Sequence, residues 1–340
     1  MRREAAVGIL LLGATAAMSQ RPSVPEADEV LGLYFPVLDH GFVALVDYMG
    51  SDAAIESAAR VSYGHGTRRA SDTRGLLRYL RRHKHTTPTE MVELKFHCAM
   101  PMFVARQWVR HRTASVNEYS GRYSLMPLLF YTPPAEQLMR QSETNRQGRG
   151  EPLPEAERAD ALRRWREGRE HAVATYEHLG ANDVARELAR IDLPLSTYTQ
   201  WYWKIDLHNL LHFLTLRVDT HAQWEIREYA RVMAAMVRRV APLSYEAWVD
   251  YDVGAASFSR MELDALRGAL ASPDPKAALD RATLAETLSK REIEEFFAKL
   301  GPRERPDFRV EPGDAKPASF FAEHFASAVP EIDRRGPAGG

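Results

Sequence analysis

The hydrophobic and polar positions mark out most of the elements before any other property is considered. Val92, Leu94, Phe96 and Cys98 alternate with Glu93, Lys95 and His97, and a period of two predicts a half-buried strand. Pro101 behind it suits the first turn of a helix running to Arg110. Residues 41–60 read as a helix with Phe42, Leu45, Val46 and Met49 on one face, and residues 74–82 as another carrying Leu76, Leu77 and Leu80. Residues 133–155 are polar and loop-like. Glu155–Leu179, Ala181–Arg190 and Leu207–Val240 carry helical patterns, the last as one long stretch whose Leu207, Leu210, Leu211 and Leu214 form a core stripe. Trp201, Tyr202 and Trp203 beside its start are expected to pack. The sum is an α+β protein in which helices dominate.

Both ends differ in character. Met1-Arg2-Arg3 precedes an apolar run to Met18 with small residues behind it, the pattern of a secretory signal and too short for a comfortable membrane span. The alternative is an amino terminus outside the fold. Residues 1–30 are therefore expected to be a tail, 31–254 the folded domain, 255–300 a helical extension (Ser259–Leu270 and Leu288–Leu300), and 301–340 a flexible tail apart from Phe320, Phe321 and Phe325.

Composition narrows the function classes. A net charge of −1 argues against a broad nucleic-acid-binding surface, leaving only local phosphate recognition. With a single cysteine, Cys98, the chain forms no internal disulfide and no thiolate metal cluster, which fits a reducing compartment. Cys98 falls in the predicted strand and is expected in the core.

The densest polar constellation spans residues 110–124, where three arginines, a histidine, a carboxylate, an amide and several hydroxyls follow an apolar helix. Guanidinium forks match phosphate and uracil-type oxygens, and Ser, Asn and backbone N–H groups complete such a cradle. A solvated charged loop is the plain alternative, but Trp108, Tyr119 and Tyr123 among so many directional donors weigh against it.

Arg110-His111-Arg112, seven residues, then Ser120 resembles the signature of flavin-dependent thymidylate synthases. The flanks match as well: residues 103–109 before it and Asn117-Glu118-x-Ser120-Gly121-Arg122-Tyr123 within it. Residues 85–90 resemble that family's flavin-contacting turn. Ala189-Arg190, Leu193-Pro194-Leu195 and residues 216–226 resemble its carboxy-terminal half, so the likeness spans residues 35–250 in order. It implies an antiparallel sheet packed with long helices, assembled as a homotetramer with active sites shared between subunits. The implied activity is reductive methylation of dUMP to dTMP in the cytoplasm, a methyltransferase reaction. FAD, reduced by NADPH, is the implied hydride source and 5,10-methylenetetrahydrofolate the carbon donor.

Carried over by position, Gln107, Arg110, Glu118, Tyr119, Ser120, Gly121, Arg122, Arg190 and Arg217 would hold dUMP. His85, Thr87, Arg110, His111, Arg112, Glu118, Asp206, His208 and His212 would contact FAD. Arg217 matches the arginine that favours the ionised uracil N3 and so raises electron density at C5, an electrostatic role. Ser120 is expected to position substrate rather than attack it, because a serine nucleophile needs an adjacent base. A non-catalytic flavin- or nucleotide-binding member of the family is the rival reading; the intact arginines, Glu118 and Ser120 oppose it.

His208 and His212 share a helix face, as do Arg217 and His221, but His212 and Arg217 lie roughly 140° apart on an ideal helix. One straight helix is thus not expected to aim all four at one small ligand. His208 and His212 lack the Glu of a zinc-protease pattern, and no catalytic metal is expected.

Overall fold

The computed structural model describes residues 21–61, 72–143, 148–302 and 305–332; the signal-like segment falls outside them. Its centre is a five-stranded sheet of order β1-β2-β3-β7-β4, antiparallel throughout. The strands are β1 (Tyr34–Val37), β2 (Gly41–Met49), β3 (Glu93–Pro101), β4 (Ser115–Glu118) and β7 (Tyr198–Asp206), while β5 (Met139–Gln141) and β6 (Arg149–Pro152) form a separate hairpin. The α+β expectation holds.

The helices are α1 (Pro25–Asp28), α2 (Asp52–Val61), α3 (Thr73–Arg82), α4 (Thr87–Glu90), α5 (Met102–Trp108), α6 (Glu155–Ala181), α7 (Arg186–Ala189), α8 (Leu207–Arg217), α9 (Trp224–Val240) and α10 (Pro242–Trp248). Beyond them come α11 (Arg260–Ala271), α12 (Pro275–Ala278), α13 (Arg281–Leu284), α14 (Lys290–Leu300) and α15 (Ala318–Ser327). Helix α9 is the spine of the core: Ile226, Tyr229, Ala230, Met233, Val237 and Val240 are all buried against the sheet. Gly41 admits this packing, since a Cβ there would collide with the Tyr229 hydroxyl and the Ala99 carbonyl.

Local chemistry explains the helix ends. Asp72 caps α3 by accepting from the Gly75 N–H at 2.6 Å. Its leucines face the core, while Arg74, Arg78 and Arg81 reach Glu246, Asp250 and Asp252. Buried Asp52 accepts from the Leu243 and Ser244 N–H groups at 2.7 and 3.0 Å, closing the start of α10. Helices α11 and α14 each open with a Ser/Glu capping box, Ser259 with Glu262 and Ser289 with Glu292.

Four expectations need correction. Residues 41–60 are strand β2 followed by helix α2, broken at Gly50 with φ +84. Residues 41–45 are all buried, so the strand shows no alternation to betray it. Trp201 and Trp203 pack as expected, but within a strand that was not anticipated, β7, where Tyr198 and Ile205 are buried with them and Tyr202 stacks on His97 at 4.6 Å. The long helix 207–240 is two helices, α8 and α9, interrupted at residues 218–223, where Asp219 accepts from the His221 N–H at 2.8 Å. His221 is therefore not on a helix with Arg217. Residues 24–30, expected in the tail, pack instead: Ala27 and Val30 are fully buried and the Tyr48 hydroxyl donates to Asp28 at 2.6 Å. Near the other end, α15 docks on the sheet through Phe321 and Phe325 beside Phe42 and Tyr198, as those phenylalanines suggested.

Candidate functional site

Trp108 fixes the site. It ends α5 fully buried, stacked on Phe213 at 5.0 Å and edge-on to Trp201, Trp203 and Tyr229 within 6 Å. Such a cage of rings holds the following turn, residues 109–112, against the side of α8. From that turn His111 points back to α8, its ring edge-on to Phe213 at 4.8 Å and 6.2 Å from the ring of His212. The Arg217 Nε–H donates to His111 Nε2 at 3.2 Å, which puts the ring's own proton on Nδ1.

A neutral imidazole suits this contact. Burial first, then the charge of Arg217, then His212 lower the His111 pKa from 6.5 to about 4. Burial likewise depresses Arg217, which makes no ion pair with a carboxylate among the described residues. Because the folded His111 binds its proton only near pH 4, the unfolded chain takes up a proton there first as pH falls below 6.5. Stability at this position is therefore lost as pH falls from 6.5 toward 4. His111→Asn is expected to remove that slope. In melting temperatures recorded from pH 7 to pH 4, the advantage of the native chain over the variant should shrink steadily; an advantage that grows with acidity would refute the assignment.

Strand β4 carries the motif onward along the sheet edge, paired with β7 through Ser115–Lys204 and Glu118–Trp201. All four of its residues are exposed. Glu118 accepts from the Thr199 hydroxyl at 2.7 Å. The Tyr119 N–H donates to the Gln200 carbonyl at 2.8 Å, and its hydroxyl is spent on the Leu125 carbonyl. Ser120 Oγ accepts from the Arg122 N–H at 3.3 Å and makes no hydrogen bond to a titratable base among the described residues. Gly121 is required by close packing: a Cβ there would sit 2.6 Å from Met126 Sδ and 3.0 Å from Arg190 Cδ. Arg190, sixty-nine positions along, thus lies against the Glu118–Arg122 segment. Arg122 pairs at the surface with Glu187 at 3.1 Å.

A third group gathers between α3, α4 and α8. His85, His208 and His212 line a cavity of about 180 Å³ together with Arg81, Lys84 and Thr215. Lys84 turns the chain into it with φ +58, and His208 Nδ1 is buried on its wall without a hydrogen-bond partner. The angular separation expected on the helix is visible here: His208 and His212 line the cavity, while Arg217 does not and donates instead to His111, whose ring is 6.2 Å from that of His212.

Other predicted residues stand apart. Thr87 opens α4 and does not line the cavity. Asp206 caps α8, accepting from the Asn209 N–H at 2.9 Å. The Gln107 amide donates to Gln223 Oε1, and Gln223 in turn donates to Glu225 at 2.8 Å. The Arg110 and Arg112 side chains are exposed and make no hydrogen bond or ion pair among the described residues. Sequence reasoning missed Thr199, Gln223 and buried Glu225, which also takes Tyr131 and Arg149. The signal available was a glutamine and a glutamate two apart at the start of an apolar helix. Among the described residues no three His, Cys, Asp or Glu side chains converge as a metal would need, and no helix is long and apolar enough to cross a membrane.

The exposed arginines of the turn that leads into the edge strand, beside a histidine-lined cavity and a half-buried guanidinium, offer donors for anionic and planar ligands. Comparison with known proteins agrees. The family described as thymidylate synthase complementing protein matches residues 44–243. The flavin-dependent thymidylate synthase of Ruegeria pomeroyi is 49% identical over 294 residues, covering 85% of this chain and 95% of that protein. That of Wolbachia pipientis wMel is 51% identical over 249 residues, covering 73% and 88%. A solved structure of the UMP/dUMP methylase PolB from Streptomyces cacaoi bound with 5-Br UMP matches with TM-score 0.58 and 34% identity, covering 64% of this chain and 98% of that one. This chain belongs to the flavin-dependent thymidylate synthase family.

The family name implies a flavin, and the cavity beside α8 fits part of one: an unsatisfied buried imidazole nitrogen, hydroxyls and cationic side chains on one wall. At about 180 Å³ it is smaller than the roughly 300–1,000 Å³ of sites that enclose a whole ligand.

Proposed function

We propose that the chain catalyses reductive methylation of dUMP to dTMP with FAD as cofactor, NADPH as reductant and 5,10-methylenetetrahydrofolate as carbon donor. The observation that carries this reading is Arg217: a half-buried guanidinium with no carboxylate partner, held in place by a neutral histidine. Such a charge favours negative charge developing beside it, here on the uracil ring at N3 and O2, which makes C5 a better nucleophile. Uncommitted Arg110 and Arg112, with Arg190 against Gly121, supply charge for the nucleotide phosphate. Ser120 and the backbone of residues 120–122 orient the substrate, Ser120 making no hydrogen bond to a base among the described residues. His85, His208 and His212 would hold the flavin, with Thr87, His111, Arg112, Glu118 and Asp206 as further contacts. The chemistry that flavin supplies when bound and reduced is hydride transfer, completing the methyl group.

The active site is proposed to be shared in a homotetramer, in the cytoplasm. The two ends of β4 lie about 10 Å apart at ~3.3 Å per residue, so Arg110–Arg112 and Glu118–Arg122 serve different parts of the surface. Val109, Val116, Tyr123 and Tyr202 stay exposed around this uncovered edge, a pattern that asks for a partner. The cavity beside α8 is also too small to close over a whole cofactor.

The test is a visible spectrum of the purified protein, then anaerobic NADPH with and without dUMP. Bound flavin that bleaches in a dUMP-dependent way, followed by folate-dependent dTMP formation, is the expected result. Absence of flavin even after FAD is added back would overturn the reading in favour of a degenerate binder.

A further inference from the structure

A second cavity, of about 730 Å³, lies between α6, the β5–β6 hairpin and residues 192–196; Glu225 and its partners Tyr131 and Arg149 reach its lining, and none of the residues assigned to dUMP or FAD does. Its size is that of pockets that enclose a whole small ligand. Apolar walls come from Phe103, Leu138, Met139 and Leu153, and Trp165 on α6 lines it while 44% exposed. Trp165, Gly168, Arg169 and Ala172 recur at three- and four-residue spacing, so one face of α6 forms a wall.

The charges at this cavity do not cancel locally. Arg149 is closed on Glu225 and Gln137, and Arg164 on Asp160 at 2.8 Å. Arg169 is different. It donates only to neutral acceptors, the Tyr131 carbonyl and the Thr132 hydroxyl at 2.8 Å. Burial pulls its pKa down, with the more distant Asp39 opposing that shift. Asp192 lies on the same lining and makes no ion pair with it. A half-buried guanidinium with donors to spare, next to an exposed indole, calls for an anion attached to a flat apolar body.

We propose that this cavity is a second ligand site, distinct from the cavity beside α8, taking a small aromatic monoanion of the aryl carboxylate or sulfonate class. The ring system lies along Trp165 and the acid group meets Arg169.

The probe is 8-anilinonaphthalene-1-sulfonate, titrated by calorimetry into the full-length protein with and without added FAD. Saturable binding of one probe per chain is expected, with an affinity that FAD leaves unchanged. Arg169→Gln should weaken it at least tenfold by removing the anion's partner. Gly168→Leu should weaken it as much by filling the space: a Cβ at Gly168 meets nothing within 4 Å, so the longer side chain enters the cavity without disturbing the fold. Thermal melting of both variants checks that they remain folded. Equal affinity in all three proteins would overturn the proposal, as would competition by FAD. So would absence of saturable binding, which is also what a neighbouring copy plugging the cavity would give.

Discussion

Arg217→Ala is expected to lower turnover by about 10²–10³-fold, the range seen when one preorganised electrostatic donor is removed from an active site, while the protein folds and retains its flavin. The guanidinium is not needed for packing: among the described residues its one hydrogen bond is to His111 Nε2 at 3.2 Å, and α8 is held by Leu207, Leu210, Leu211, Phe213 and Leu214, all buried. What is lost is a fixed positive charge in a half-buried setting, where it acts more strongly than in water. His111 offers an independent readout. With the neighbouring cation gone, one of the three influences that hold its pKa near 4 disappears, and its titration, followed by imidazole NMR, should move upward. Steady-state rates, dUMP affinity and the flavin spectrum are measured together. Loss of flavin or of assembly in the variant would make Arg217 an architectural residue.

Trp108→Ala is expected to cost about 3–5 kcal/mol of stability, the usual range for deleting a fully buried aromatic side chain. Phe213, Trp201, Trp203 and Tyr229 all face the indole, and they come from α8, β7 and α9, so little can collapse into the void. The indole N–H has no hydrogen-bond partner among the described residues, so the loss is one of packing. Urea unfolding measures it directly, and a change below about 1 kcal/mol would contradict the caged arrangement. Activity should fall further than stability in this variant, because residues 109–112 hang from the same anchor.

How much could be read from the sequence depended on whether the determining residues were neighbours in the chain. Strand β3 was legible because its first half alternates between half-buried and buried positions. Strand β2 was not, because burial on both faces erases the period of two and leaves apolar spacing that also fits a helix. In β7 the aromatic residues were noticed, but three of them in a row at 201–203 read as a packed cluster beside the next helix and hid the alternation. The Arg110–Arg122 motif was visible because it is contiguous. The contact that gives it chemical meaning joins residues 106 apart, His111 and Arg217, and nothing in the sequence announces that pairing. Gln107 shows the converse: the residue was identified, but its tie to Gln223 and Glu225 required the fold.

The solitary thiol lends itself to experiment. Cys98 sits in β3, the middle strand of the sheet, between Val43 of β2 and Trp201 of β7, wholly buried and with its pKa pushed well up by that burial. Thiolate reagents have no route to it while the strand is paired. Alkylation by a slow reagent therefore counts openings of the central sheet, and its rate, compared with that in denaturant, reads the free energy of that opening without any engineered label. With no second thiol in the chain to compete, a cysteine introduced on β4 or α6 can carry a fluorophore or spin label in an otherwise native chain.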